Sequence, residues 1–179
     1  MSDRQALRDL QTRLAQRLQS ARSQSEQTVS WLAVQAGGVN YLLPLGQAGE
    51  IFTPTTLLPV PYTRAWFLGV ANLRGALCGV IDLAGFIHQD RLQGARPVLG
   101  AESRLVALNM NLGAHCALLI DRLVGLRSGS VFVSQTPPAQ DAPAFFGPCY
   151  ADAVQAQWQV LDLQALAEWP EFLDIRYRP

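Results

Sequence analysis

The chain has 179 residues, 49% hydrophobic and 16% charged, which suits one large domain or two small ones sharing a core and excludes a disordered chain. Fourteen acidic and fourteen basic side chains cancel, and all the cations are arginines, so nothing offers the basic excess that nucleic acid or an anionic membrane surface requires. Three scattered cysteines without a C-x-x-C pair, an opening Met1-Ser2-Asp3-Arg4 with no apolar signal core, and no stretch long enough to span a bilayer predict reduced thiols in a cytoplasmic protein.

Residues 1–28 read as a leader and linker, set apart by their period. Leu7, Leu10, Leu14 and Leu18 recur at spacings of three and four and form one narrow helical stripe. Arg4, Arg8, Arg13, Arg17 and Arg22 lie away from it, and Ser2 with Gln5 fits a capping box. The stripe can dock on the protein's own strands or bind a partner helix, and the pattern leaves both open.

From Val29 the period becomes strand-like. Trp31–Ala36 and Val39–Leu43 flank Gly37-Gly38, a hairpin turn, and Ala48–Phe52 follows. Pro54, Pro59 and Pro61 force an extended loop before Trp66–Ala71 and Ala76–Ile81. Five short runs predict a small antiparallel barrel over residues 29–88, ending in a short helix capped by Asp82. After a polar segment, His88–Ser103, runs at Leu105–Met110, Ala114–Ile120, Leu123–Leu126, Val131–Val133, Tyr150–Val154 and Trp158–Leu161 predict a second barrel over 104–161. A proline-bearing loop, Ser134–Pro148, interrupts them. A C-terminal helix over 162–169, capped by Asp162, stops before Pro170. Val80-Ile81-Asp82-Leu83 recurs as Val160-Leu161-Asp162-Leu163, at the end of each strand series, which points to a duplicated unit.

No reactive set is grouped along the chain. There is no G-x-S-x-G, P-loop or G-x-G-x-x-G, and the cysteines sit among apolar neighbours. His115 and Cys116 are adjacent in an expected strand, so alternation would turn them to opposite faces, and zinc-ligand spacings are missing. No catalytic residue, metal or cofactor is therefore expected. Two other classes stay open: an enzyme that assembles Cys78, His115 or Asp121 in space, and a ligand sensor using a cavity between barrels lined by Trp66, Phe86 and Trp158. Arg74 sits at the hairpin corner Asn72-Leu73-Arg74-Gly75. On its own it reads as a solvated turn residue or an exposed partner of Glu50 in preference to a contact residue, although its rigid fork of donors also suits an interface.

Several segments together resemble the CheW-like coupling proteins of bacterial chemosensory arrays. They are Ala36-Gly37-Gly38-Val39-Asn40-Tyr41, Gln47–Ile51, Leu58-Pro59-Val60-Pro61, Gly69-Val70-Ala71-Asn72-Leu73-Arg74-Gly75 with Val80-Ile81-Asp82-Leu83, Leu118–Val124 and Val160–Leu163. The resemblance covers about Trp31 to Trp169, in the family's order. Gly79 replaces a common proline, and His115-Cys116-Ala117 stands where a glycine often precedes the late strand. The resemblance implies a mainly β fold of two five-stranded SH3-like barrels over residues 29–179, without enzymatic activity. It also implies two partners, the cytoplasmic tip of a methyl-accepting chemoreceptor and the regulatory domain of a CheA-type histidine kinase. Membrane association would come only through the receptor. Glu50, Val70, Asn72, Leu73, Arg74 and Gly75 would form or flank the receptor-binding surface. The leader, Trp31, and the Trp66–Asn72 and Asp82–Phe86 segments resemble the PilI-type adaptors that serve type IV pilus twitching motility.

Overall fold

A computed structural model describes residues 30–89 and 99–177; the leader, with Leu7, Leu10, Leu14 and Leu18, lies outside them. Eleven strands form among the described residues: β1 (Ser30–Ala36), β2 (Val39–Pro44), β3 (Ala48–Phe52), β4 (Phe67–Leu73), β5 (Ala76–Asp82), β6 (Arg104–Leu108), β7 (Cys116–Ile120), β8 (Arg122–Ser128), β9 (Phe132–Thr136), β10 (Phe146–Asp152) and β11 (Gln157–Leu161). Three short helices complete the fold, α1 (Leu83–Ile87), α2 (Leu163–Ala167) and α3 (Pro170–Leu173).

The sheets cut across the two halves expected from the sequence. One has the order β8-β1-β2-β11-β10-β9 and the other β3-β6-β7-β5-β4. The opening hairpin of the first half, β1–β2, lies against the closing hairpin of the second, β10–β11, through a parallel β2–β11 contact. Reciprocally, β6–β7 of the second half lies against β4–β5 of the first, through a parallel β5–β7 contact. The V-I-D-L and V-L-D-L repeats end the two equivalent strands, β5 and β11. The duplication shows in the topology, but its halves exchange hairpins, so neither sheet is drawn from residues 29–88 or 104–161 alone. The same strand patterns satisfy either pairing, and only the tertiary contacts choose.

Strand alternation builds three cores. In β7 all five residues are buried. Ala117 and Leu119 point into the five-stranded sheet's own core, whereas Cys116, Leu118 and Ile120 point into the core between the sheets. In β1, Trp31 and Ala33 fill the six-stranded sheet's core while Leu32 and Val34 face the shared one. Strands with apolar neighbours on both faces read as unbroken apolar runs, and these do. The six-stranded sheet's core is aromatic: Trp31 packs on Phe132 and Tyr150, with Arg127 5.7 Å over the Trp158 ring. The shared core carries Trp66, Phe86, Phe145 and Phe172 in edge, tilted and stacked contacts.

Each sheet curls. β8 and β9 are opposite edges of the six-stranded sheet, yet only the 3₁₀ turn Gly129–Val131 separates them in sequence. In the five-stranded sheet the chain leaving edge β3 returns to edge β4 with Leu58 paired on Val70. These are SH3-like subdomains, as the sequence led one to expect.

Two local expectations change. The long loop shrinks to residues 137–145, because β9 runs to Thr136 and β10 opens at Phe146. Gly147 and Pro148 occupy a register break between Phe146 and Cys149, where a missing N–H is tolerated. The C-terminal helix ends at Ala167, and Pro170 starts the separate turn α3, proline being suited to a first helical position.

Candidate functional site

The hairpin joining β4 and β5 has a two-residue loop, since Leu73 faces Ala76 across the ladder. Arg74 and Gly75 both have positive φ, 51° and 87°, the geometry of a type I′ turn. That turn favours Asn and Gly, and an arginine held left-handed costs about 1 kcal/mol or more. The flanking residues of N-L-R-G make it stand. Asn72 Oδ1 accepts the Gly75 N–H at 2.7 Å, and Leu73 is buried in the sheet's core. Gly69, which opens the motif, has φ 130°, and a Cβ there would lie 2.3 Å from the Leu58 carbonyl oxygen. The motif's first glycine is therefore required by the proline-loop strand that bonds Val70 at 2.8 and 2.9 Å.

Arg74 Nη2 meets Glu50 Oε1 at 2.8 Å, with the arginine side chain 76% exposed and the glutamate 42%. Glu50 belongs to edge β3 and Arg74 to the tip beside edge β4, so the pair bridges the two ends of the curled sheet. As an exposed pair it contributes only about 0–1 kcal/mol to stability. The guanidinium keeps donors turned to solvent.

Beneath the pair lies an open groove of about 600 Å³. Its floor is apolar, with Leu73, Ala107, Cys78 and Cys116. Burial pushes the Cys116 thiol up to about 12, with Cys78 beside it adding to the effect, and burial raises Cys78 as well. Both thiols are therefore neutral at physiological pH, and the floor carries no charge. The far lip is the 3₁₀ turn Met110–Leu112, where Met110 stands 79% exposed. Asn109 shapes this lip: its side chain accepts the Asn111 N–H and its own N–H donates to the Gln47 carbonyl. An ion pair on one lip, a flexible thioether on the other and an apolar floor between suit an amphipathic segment of another protein.

The structure brings Glu50, Leu73 and Arg74 together at the groove, with Asn72 and Gly75 building the turn and Val70 holding the adjoining strand. Met110 and Asn109 were missed by the sequence reading, which ran the strand through to Met110. An Asn-Met-Asn triplet before a Leu-Gly turn, with Gly113 at φ 69°, was the available signal. His115 and Cys116 both border the groove, against the expected opposite faces, because β7 begins only at Cys116 and alternation does not reach His115. Among the described residues no three His, Cys, Asp or Glu side chains group to hold a metal.

Trp66, Phe86 and Trp158 do not line a common cavity. The first two are buried in the shared core and the third in the aromatic core of the six-stranded sheet. The two capping aspartates also differ. Asp162 accepts N–H bonds from Gln164 and Ala165, its Oδ1 held by Gln47 Nε2 at 3.0 Å. Asp82 occupies the N-cap position of α1 with its carboxylate beside the Ala84 and Gly85 amides but outside the geometry of a full capping bond. Its carboxylate is packed so closely on Gly85 that a Cβ there would lie 2.6 Å away. Burial raises the Asp82 carboxyl above the usual range, the Gly85 and Ala84 amides partly oppose this, and the charge of Asp121 adds to it.

The CheW-like domain family matches residues 30–171. Protein PilI of Pseudomonas aeruginosa is 29% identical over 96% of this chain and 94% of its own length. The crystal structure of the scaffolding protein TtCheW from Thermoanaerobacter tengcongensis superposes with a TM-score of 0.58 at 17% identity, covering 75% of this chain and 89% of that one.

Proposed function

The chain belongs to the CheW-like domain family of non-catalytic coupling scaffolds, and from that premise we propose that it joins a methyl-accepting chemoreceptor to a CheA-type histidine kinase. The likeness to PilI supports assignment to the chemosensory system of type IV pilus twitching motility. In this reading the protein works in the cytoplasm and meets the membrane only through the receptor.

The observation that carries the reading is Arg74. A two-residue turn that Asn-Gly would satisfy without strain instead holds an arginine left-handed, paired to Glu50 and exposed over an apolar groove. Strain retained where a relaxed residue would fit points to a role for the side chain itself. A helix of the receptor's cytoplasmic tip lies along the groove, its apolar ridge on Leu73 and Cys116 and its acceptors facing the free guanidinium donors. The kinase regulatory domain, of the same double-sheet kind, packs on exposed strand residues elsewhere. Each contact is weak alone, and the array multiplies them.

The test is binding of purified receptor-tip fragment to the Arg74→Glu variant. Affinity falls at least tenfold while far-UV circular dichroism and the melting temperature stay near wild type. Unaltered affinity would remove Arg74 from the contact surface.

A further inference from the structure

At one corner of the six-stranded sheet four apolar side chains face solvent. Leu126 comes from β8, Val131 from the 3₁₀ turn and Val133 from β9. Val154 lies on the β10–β11 turn, brought alongside by the pairing of Asp152 with Phe132. Val133 is 62% exposed and Val154 83%. The surrounding strand surface, Ser134-Gln135-Thr136, is uncharged, and Arg127 is occupied over the Trp158 ring. β9 is an edge strand, bonded only to β10, and carries none of the charges that usually protect an edge.

The N-terminal segment reaches the sheet at this same corner. Ser30, the first residue of β1, pairs with Ser128, the last of β8, next to the turn that holds Val131. Before it stand 29 residues, whose Leu7, Leu10, Leu14 and Leu18 recur at helical spacing. From Leu7 to Leu18 a helix rises about 16 Å, and the five residues of β9 extend about the same distance. The nine residues from Ala21 to Val29 can stretch to about 30 Å, more than enough to turn back.

We propose that residues 3–20 fold back as a helix and lay their leucine stripe on the Leu126–Val131–Val133–Val154 corner of their own chain. Each partner lacks what the other supplies. A helix of this length with one apolar stripe is marginal alone in water, and the corner is an apolar patch beside an open edge. A nine-residue tether sets a local concentration of about a millimolar, so a contact too weak to recruit a separate molecule closes within the chain. The groove under Arg74 lies on the other sheet and stays open.

Hydrogen exchange resolved by segment tests this on the full chain, on a chain lacking residues 1–28, and on the full-length Leu10→Asp/Leu14→Asp variant. Amides of residues 126–136 exchange at least tenfold faster in both altered chains, while β4 and β5 are unchanged. In a Cys149→Ser background, Leu14→Cys and Val133→Cys form an intramolecular disulfide under mild oxidation, at a yield independent of protein concentration. Equal exchange at the corner in all three chains overturns the proposal. So does protection that disappears on dilution, which assigns the corner to a second copy, or protection that arises only when a kinase regulatory domain is added.

Discussion

Replacing Arg74 with glycine separates strain from function. Glycine relaxes the left-handed position at φ 51°, recovering about 1 kcal/mol. Against this stand the lost exposed pair with Glu50, about 0–1 kcal/mol, and the greater freedom of glycine in the unfolded chain, about 0.4–1 kcal/mol. The terms cancel to within about 1 kcal/mol, or about 2–4 °C in melting temperature for a chain of this size. Receptor binding loses a charge-assisted hydrogen bond of about 1.5–3 kcal/mol, a factor of about 10 to 150 in Kd. Differential scanning calorimetry and titration of a receptor-tip fragment read the two quantities independently. The exchange Glu50→Arg with Arg74→Glu sharpens the contrast, because it rebuilds an ion pair between the sheet edges with reversed polarity. Stability stays near wild type and binding stays weak. Recovered binding in the exchanged protein would mean that the pair only fastens β3 to the hairpin, and the reasoning from strain would fail.

Gly69→Ala drives a Cβ to 2.3 Å from the Leu58 carbonyl oxygen at φ 130°; urea unfolding shows a loss above about 3 kcal/mol or no folded protein. The aspartates that begin α1 and α2 respond oppositely: Asp162→Ala costs about 1–2 kcal/mol for its lost cap, whereas Asp82→Asn stabilises at neutral pH. Because the folded carboxyl of Asp82 is raised, stability falls as pH climbs from the ordinary carboxylate range through the folded value, so the gain from asparagine vanishes toward acid pH in thermal melts. Ellman's reagent modifies Cys149 quickly in native protein, its half-buried Sγ lying 3.3 Å from Gln157 Oε1. Cys78 and Cys116 react only on unfolding, and three fast thiols would refute the picture of a neutral, closed floor.

Much of this fold was legible because the central strands face two cores. Cys116–Ile120 reads as an unbroken apolar run because alternate residues enter different cores, and the first-half strands fell within a few residues of their expected limits. The V-I-D-L and V-L-D-L echo announced the duplication. What it could not announce was the exchange, since β6–β7 carries the same pattern whether it pairs with β4–β5 or with β10–β11. Asp82 and Asp162 have nearly identical surroundings in sequence, yet only Asp162 makes full capping bonds, and it alone also receives Gln47, distant in the chain. Arg74 was legible as a corner residue, but its left-handed strain and its bridge between sheet edges depend on the curl that brings β3 to the hairpin tip. Met110 was hidden for a related reason: its exposure follows from the strand ending at Leu108, two residues earlier than the apolar run implies.

A connector must hold two partners in a fixed relation, and Gln47 explains how the groove shares a frame with the other sheet. Its carbonyl accepts the Asn109 N–H at 2.9 Å, fixing the lip that carries Met110. Its side chain donates to Asp162 Oδ1 at 3.0 Å and accepts the Leu163 N–H at 2.8 Å, fixing the start of α2 just beyond β11. One residue thus binds the mouth of the five-stranded sheet to the end of a central strand of the six-stranded one. The exchanged hairpins tie the two halves of the chain, since each sheet contains strands from both and one half cannot rotate against the other without breaking ladders. A close-packed shared core resists the remaining small displacements. Two separate barrels on a linker would leave the relative orientation of their surfaces free, and the exchange removes that freedom at its source.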